Sequence, residues 1–171
     1  MPWVELKLVD PASGRSVATG EIGEILMRSP AITRGYWSKP KETAEAITVD
    51  GWLRSGDAAT QDADGFIYLH DRYKNMIISG GENIYPAEID NVLLHHPAIQ
   101  EVAVVGVSHP RWGETPRAYV VLRPGMRAAE DEIIAFARDR LAHYKCPTSV
   151  VFVEDLPRNA SGKILKRELR R

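Results

Sequence analysis

The sequence predicts an α+β protein made of two unlike pieces, a β-rich stretch followed by a compact α+β domain. Three observations carry that prediction. Near the start Val4, Leu6 and Leu8 alternate with Glu5 and Lys7, the period of a half-buried strand. Beyond residue 85 apolar residues recur at helical spacing, as in Ile89, Val92 and Leu93. Between the helical stretches lie β-branched runs, such as residues 102–107, that suit interior strands.

The elements follow in order. After the first strand, Asp10-Pro11-Ala12-Ser13-Gly14 supplies a turn, with Pro fixing φ and Gly admitting φ > 0. Residues 24–28 read as a strand. Residues 40–47 read as a short helix, with Ser38 as cap and Pro40 in the first turn. Strands 57–61 and 66–70 flank Asp62-Ala63-Asp64-Gly65, a hairpin signal ending in Asp-Gly. Residues 86–94 open on Pro86 and form a helix that Pro97 stops. Strands follow at 102–107 and, after Thr115-Pro116, at 118–122. Residues 129–142 form an amphipathic helix that buries Ile133, Ile134, Phe136, Ala137 and Leu141. A third short strand at 150–153 and a helical turn within 164–169 end the chain. The domain boundary falls near residues 71–74, giving pieces 1–71 and 72–171. The second, about 100 residues, is a viable domain size.

Composition excludes several function classes. The chain has 171 residues, 44% hydrophobic and 26% charged, as in globular proteins. Lys and Arg total 22 against 23 Asp and Glu, so the net charge of −1 gives no footprint for nucleic acid or an anionic membrane. The apolar runs are too short for a transmembrane helix. Glu5, Lys7, Asp10 and Arg15 interrupt any signal-peptide stretch. The single cysteine, Cys146, cannot form an internal disulfide and fits a reducing cytosol, so the expectation is a cytoplasmic protein. It lacks an activating partner in sequence and reads as a buried or idle thiol. His95-His96 before Pro97 reads as a helix end, with no Cys or carboxylate cluster at metal-ligand spacing. The glycosylation sequon Asn159-Ala160-Ser161 lacks a secretory context.

Four polar clusters sit in turns, where a rigid scaffold presents side chains to ligands. In Gly51-Trp52-Leu53-Arg54-Ser55-Gly56-Asp57 the aspartate suits two vicinal hydroxyls, as on a ribose, and equally suits capping its own turn. His70-Asp71-Arg72-Tyr73-Lys74-Asn75 offers an arginine fork for sugar or phosphate oxygens and a mobile lysine charge; a solvated connector fits the same residues. Gly80-Gly81 permits close approach of backbone to a ligand just before a helix, and also suits a tight turn with no ligand. In Pro157-Arg158-Asn159-Ala160-Ser161-Gly162-Lys163-Ile164 the Gly-Lys pair is not a phosphate loop, because Pro157 and Ile164 stand where that motif needs Gly and Ser or Thr. A lysine on a glycine-flexed turn remains, within a basic tail.

Taken in this order, the clusters resemble the adenylate-forming (AMP-binding) enzymes, in particular their acyl-CoA synthetase branch and most of all fatty-acid–CoA ligases. Residues 51–57 resemble the family's Gly-Trp-x-x-Thr-Gly-Asp segment, with Ser55 for Thr. Residues 71–90 resemble its hinge motif, and residues 157–164 its C-terminal lysine motif. The resemblance implies that 1–71 is the last, barrel-like part of a large N-terminal AMP-binding domain. It implies that 72–171 is a lid domain with a central sheet of about three strands flanked by helices.

The resemblance also assigns roles. Asp57 would bind the ribose hydroxyls of ATP or the acyl-adenylate, with Arg72 as a second nucleotide contact. Lys74 would be the hinge about which the lid alternates between half-reactions. Lys163 would reach the carboxylate and α-phosphate during adenylation, where a placed cation stabilises developing charge. Gly80, Gly81 and Glu82 would line the pantetheine tunnel, with Trp112 and Tyr144 at coenzyme A positions. Some relatives carry Arg where Cys146 stands, so that phosphate contact is not carried over. The implied reaction converts a carboxylic acid, a fatty acid by this resemblance, to acyl-AMP and then acyl-CoA, using ATP, CoA and Mg²⁺. The Mg²⁺ ligand and the phosphate loop belong to a region this sequence does not contain, so the isolated chain is expected to be inactive. The alternatives are an adenylation domain that loads a carrier protein, or a free-standing nucleotide- or CoA-binding module. Self-association through unpaired strand edges is a further expectation.

Overall fold

A computed structural model describes residues 3–170. They form two compact units that meet in sequence between Lys74 and Asn75. The boundary lies three residues beyond that of the 1–71 and 72–171 division.

The first unit is an antiparallel meander of β1 (Glu5–Val9), β2 (Gly23–Arg28), β3 (Leu53–Gln61) and β4 (Ile67–Arg72), in spatial order β1-β2-β3-β4. The sheet is open and does not close into a barrel. β1 is an edge strand, and its alternation is only partly used: Leu8 and Val9 are buried while Val4 and Leu6 stay exposed. Leu8, Ile25 and Ala59 make one small apolar cluster, and Val9, Leu26 and Trp52 another. Trp52 is flanked by Lys7 Nζ, 4.3 Å from its ring centroid, and the Arg28 guanidinium at 4.5 Å. The β3–β4 hairpin turns where Asp62 Oδ1 accepts from the Asp64 and Phe66 N–H groups. α1 (Pro40–Ala46) starts with Pro in its first turn, as expected, but Lys39 rather than Ser38 is at its N-cap position. Ser38 instead has φ +54, and the Thr43 hydroxyl accepts from Tyr36 N–H while donating to Lys39 C=O.

The second unit is a five-stranded sheet with two longer helices. Its strands are β5 (Ile77–Ser79), β6 (Glu82–Ile84), β7 (Ile99–His109), β8 (Gly113–Leu122) and β9 (Ser149–Phe152). The order is β6-β5-β8-β7, with β9 running parallel to β8. Five strands replace the expected three because β5 and β6 are three residues each, too short to show a period of two. Pro116 sits inside β8, yet the ladder tolerates it. It lies between Gly113, where β5 pairs, and Arg117, where β9 joins.

α2 (Pro86–Leu93) matches its sequence pattern and buries Ile89 and Leu93. α3 (Glu130–Arg138) is shorter than the expected 129–142. Asp139 N–H donates to Ala135 C=O, and Arg140 N–H then donates to Ala137 C=O in an i→i−3 bond that tightens and ends the helix. Ile89, Leu93, Val104, Val120, Ile133 and Val150 share one core with Cys146. A second cluster, around Ala103, Val105 and Leu156, receives Leu169 of the last helical turn, α4 (Lys166–Leu169). Asp90 on α2 ties these parts together. It accepts from Val104 N–H at 2.7 Å and pairs with Lys166 Nζ at 2.7 Å, with both side chains mostly buried. No helix among the described residues is long and apolar enough to cross a membrane.

Candidate functional site

In the first unit the β3–β4 ladder sets Asp57 directly opposite Arg72. Arg72 Nε lies 3.1 Å from Asp57 Oδ1, so the two residues assigned to the nucleotide are brought together by register. The approach to Asp57 is shaped by Gly56, whose φ of +72 suits glycine. Gly56 N–H donates to Glu24 Oε1 at 3.2 Å, and Arg54 Nη1 lies 3.3 Å from Glu24 Oε2. Glu24 itself is buried, at 5% exposure. Sequence reasoning missed this carboxylate. Its only signal is an acid between Gly23 and the apolar Ile25-Leu26, where a strand facing a core would carry another hydrophobe. Because Glu24 Oε2 has the ion pair but no well-formed hydrogen bond, the carboxylate depends on Arg54 and Gly56 together.

Immediately after β4 the chain enters a single 3₁₀ turn, Tyr73–Asn75, which carries Lys74 as an exposed side chain. Lys74 is the last residue of the first unit.

In the second unit the Gly80-Gly81 pair is the two-residue turn of the β5–β6 hairpin. Both glycines have positive φ, +60 and +92, as a type I′ turn requires. Gly80 has a second reason to be glycine. Its N–H donates to Trp112 C=O at 2.8 Å, and a Cβ there would come within 2.9 Å of the indole ring. The turn, Gly80 and Trp112 thus form one surface, with the Arg111 guanidinium 4.3 Å from the Trp112 ring centroid. Glu82 is exposed beside it, opposite Ser79. Tyr144 is on a different element, the 3₁₀ turn His143–Lys145, and has no hydrogen bond or ring contact with Trp112 among the described residues. That turn is fixed to α2 by Lys145 Nζ, 2.7 Å from Glu88 Oε2.

Lys163 is exposed and forms no ion pair with the described acids. The turn beneath it is closed. Leu165 N–H donates to Pro157 C=O, Asn159 N–H to Lys163 C=O and Gly162 N–H to Asn159 C=O. Gly162 supplies the positive φ, +82. Arg158 pairs with Glu101 of β7 and donates to Gly162 C=O at 2.7 Å.

The discounted residues fall into structural places. His96 is buried, with its ring edge against Phe136 at 4.9 Å, and its Nδ1 accepts from Ala98 N–H. Cys146 is in the core, where burial pushes its thiol pKa up. Among the described residues no group of three His, Cys, Asp or Glu side chains is placed to hold a metal ion.

Comparison with known proteins finds relatives along nearly the whole chain. Residues 88–163 match the AMP-binding enzyme C-terminal domain and residues 1–37 the AMP-binding enzyme family. A feruloyl-CoA synthase from an Amycolatopsis species is 51% identical over 99% of this chain and 34% of its own length. A long-chain-fatty-acid–CoA ligase of Bacillus subtilis is 46% identical over 98% of this chain and 30% of its own. The crystal structure of ATP-bound MatB from Rhodopseudomonas palustris superposes with a TM-score of 0.93 at 36% identity, over 99% of this chain and 34% of that one. The chain therefore spans about a third of the length of the relatives it matches. Two family matches in chain order, joined by relatives of about half identity along nearly the whole sequence, make this chain similar to the AMP-binding enzymes and, over residues 88–163, to their C-terminal domain.

Proposed function

We propose that the chain serves an ATP-dependent acid–CoA ligase, supplying a nucleotide clamp from its first unit and the adenylation lysine from its second. The observation that carries this reading is Lys163, an exposed cation without an ionic partner among the described residues, on a turn closed by hydrogen bonds. In the first half-reaction a carboxylate oxygen attacks the α-phosphorus of ATP, and the bond to pyrophosphate breaks. Lys163 neutralises charge on the α-phosphate and the entering carboxylate, an effect that is large in a closed site. Asp57 accepts from the ribose hydroxyls, and Arg72, held against it, contacts the same nucleotide.

In the second half-reaction the CoA thiol sulfur bonds to the acyl carbon and AMP leaves. Gly80, Gly81 and Glu82 line the path of the pantetheine arm, and Trp112 and Tyr144 contact coenzyme A. Lys74 is the hinge between the two steps, a role supported by the unit boundary directly after it. The family also implies Mg²⁺. No described cluster of His, Cys, Asp or Glu side chains in this chain fits it.

The acid is the narrower part of the proposal. Resemblance of residues 50–57 and 79–90 to fatty acyl-CoA synthetases favours a fatty acid. A second reading, an aromatic acid, is favoured by the higher identity to the feruloyl-CoA synthase, 51% against 46%.

The test is acid-dependent ATP–pyrophosphate exchange by the longer ligase that carries this chain, with parallel fatty and aromatic acids. Exchange with either class, weakened in Asp57→Ala through a raised KM for ATP, supports the reading. No exchange with any carboxylic acid overturns it. The class that gives the higher kcat/KM decides between the two acids.

A further inference from the structure

We infer that Asn159 is a positioning residue for Lys163, setting the turn that delivers the ammonium to the reaction. The inference rests on the adenylation role proposed for Lys163. Lys163 stands on an exposed, irregular segment, and a lysine so placed loses side-chain and backbone freedom whenever it engages a ligand. A turn that already holds the productive backbone removes the backbone part of that loss, which is how precise placement raises a rate.

The atom that holds it is Asn159 Oδ1. Three donors converge there: Lys163 N–H at 2.9 Å, Ser161 N–H at 3.1 Å and the Ser161 hydroxyl at 2.8 Å. Backbone N–H groups can only donate, so the atom they meet is the amide oxygen and the orientation of the Asn159 side chain is fixed. The main chain of the same two residues closes the ring from the other side, Asn159 N–H donating to Lys163 C=O at 3.0 Å. Residues 159 and 163 are thus joined twice, once through the backbone and once through the side chain. No other side chain among the described residues accepts a hydrogen bond from Lys163 N–H. Arg158 supports the same turn from the other side, pairing with Glu101 of β7 and donating to Gly162 C=O at 2.7 Å, the carbonyl of the peptide whose N–H meets Asn159.

An aspartate at 159 retains an oxygen acceptor in the same place, whereas alanine removes it. Two measurements therefore test the inference. In the 171-residue chain, amide exchange at Ser161 and Lys163 should accelerate several-fold to about tenfold in Asn159→Ala, the loss of one net hydrogen bond. It should stay near the unsubstituted rate in Asn159→Asp. In the longer ligase, Asn159→Ala should lower kcat for acyl-adenylate formation by about tenfold or more. The KM for ATP should be unchanged, thioester formation from added acyl-adenylate should be unaffected, and Asn159→Asp should restore the rate. Placed on a Lys163→Ala background, Asn159→Ala should cost nothing further, because it acts only through that lysine.

Unchanged exchange in Asn159→Ala, an equal loss in both half-reactions, or a full additional loss on the Lys163→Ala background overturns the inference. If Lys163→Ala fails in adenylation while Asn159→Ala does not, only the inference falls. If Lys163→Ala itself forms acyl-adenylate at the unsubstituted rate, the functional reading falls and takes the inference with it.

Discussion

The two units hold their candidate functional residues in opposite ways. In the first, Asp57 and Arg72 are neighbours in a β ladder, and buried Glu24 holds the strand entering Asp57. In the second, Lys163 stands outside the sheet on a turn shaped by Asn159 and tethered by Arg158. Their cores are also opposite. The second unit packs both faces of its sheet, whereas the first has two small clusters and leaves Trp3, Trp37, Phe66 and Leu69 exposed. A β ladder thus fixes a pair of side chains by register, whereas a closed turn presents a single exposed charge from a stable base. The first unit then draws its order from charges and hydrogen bonds as much as from apolar burial.

Substitutions distinguish what holds each unit together, and a core truncation in the second unit has the largest effect. Leu93→Ala removes a fully buried side chain from the second unit's core and should cost about 2–5 kcal/mol in urea unfolding. The same variant should leave the β3–β4 amides unshifted in NMR spectra. Shifts spreading into both units would show that they are one cooperative core and that the contrast is false. Glu24→Gln tests the opposite side. It removes a charge from the Gly56 N–H and Arg54 and should cost about 1–3 kcal/mol, lost from the first unit alone. An unchanged melt would mean that the apolar clusters suffice there.

A smaller effect comes from pH. Burial would raise the Asp62 pKa, but hydrogen bonds from the Phe66 N–H, Tyr68 hydroxyl and Asp64 N–H outweigh it and hold the carboxyl below its ordinary value. A lowered folded-state pKa stabilises the β3–β4 hairpin above the ordinary carboxylate range and is lost as pH falls through the folded value. Exchange of the Phe66 amide should therefore rise at acid pH before that of the β7–β8 amides. Simultaneous rises would contradict it.

Much of this was legible in the sequence, for physical reasons that differ by element. α2 could be read because Pro86 marks its first turn and Ile89 and Leu93 share a face. The β3–β4 hairpin could be read because Asp-Gly turns leave few alternatives. β5 and β6 could not, since three residues show no alternation and only Ile77 and Ile84 are buried. The early end of α3 was hidden because Leu141 continues the apolar spacing past the helix and still packs on the core. Within the site, Asp57, Arg72 and Lys163 stood out through motif resemblance. Glu24 and Asn159 did not, because each acts through backbone N–H groups whose positions only the folded chain reveals.

The proposed role of Lys163, in one half-reaction and not the other, is tested most directly by measuring the two steps separately in the longer ligase. Lys163→Ala should slow acyl-adenylate formation by about 10²–10³, the usual cost of one well-placed contact to developing charge. Supplied with acyl-adenylate and CoA, the same variant should form thioester at the unsubstituted rate. Equal slowing of both steps, or of neither, would rule out that role.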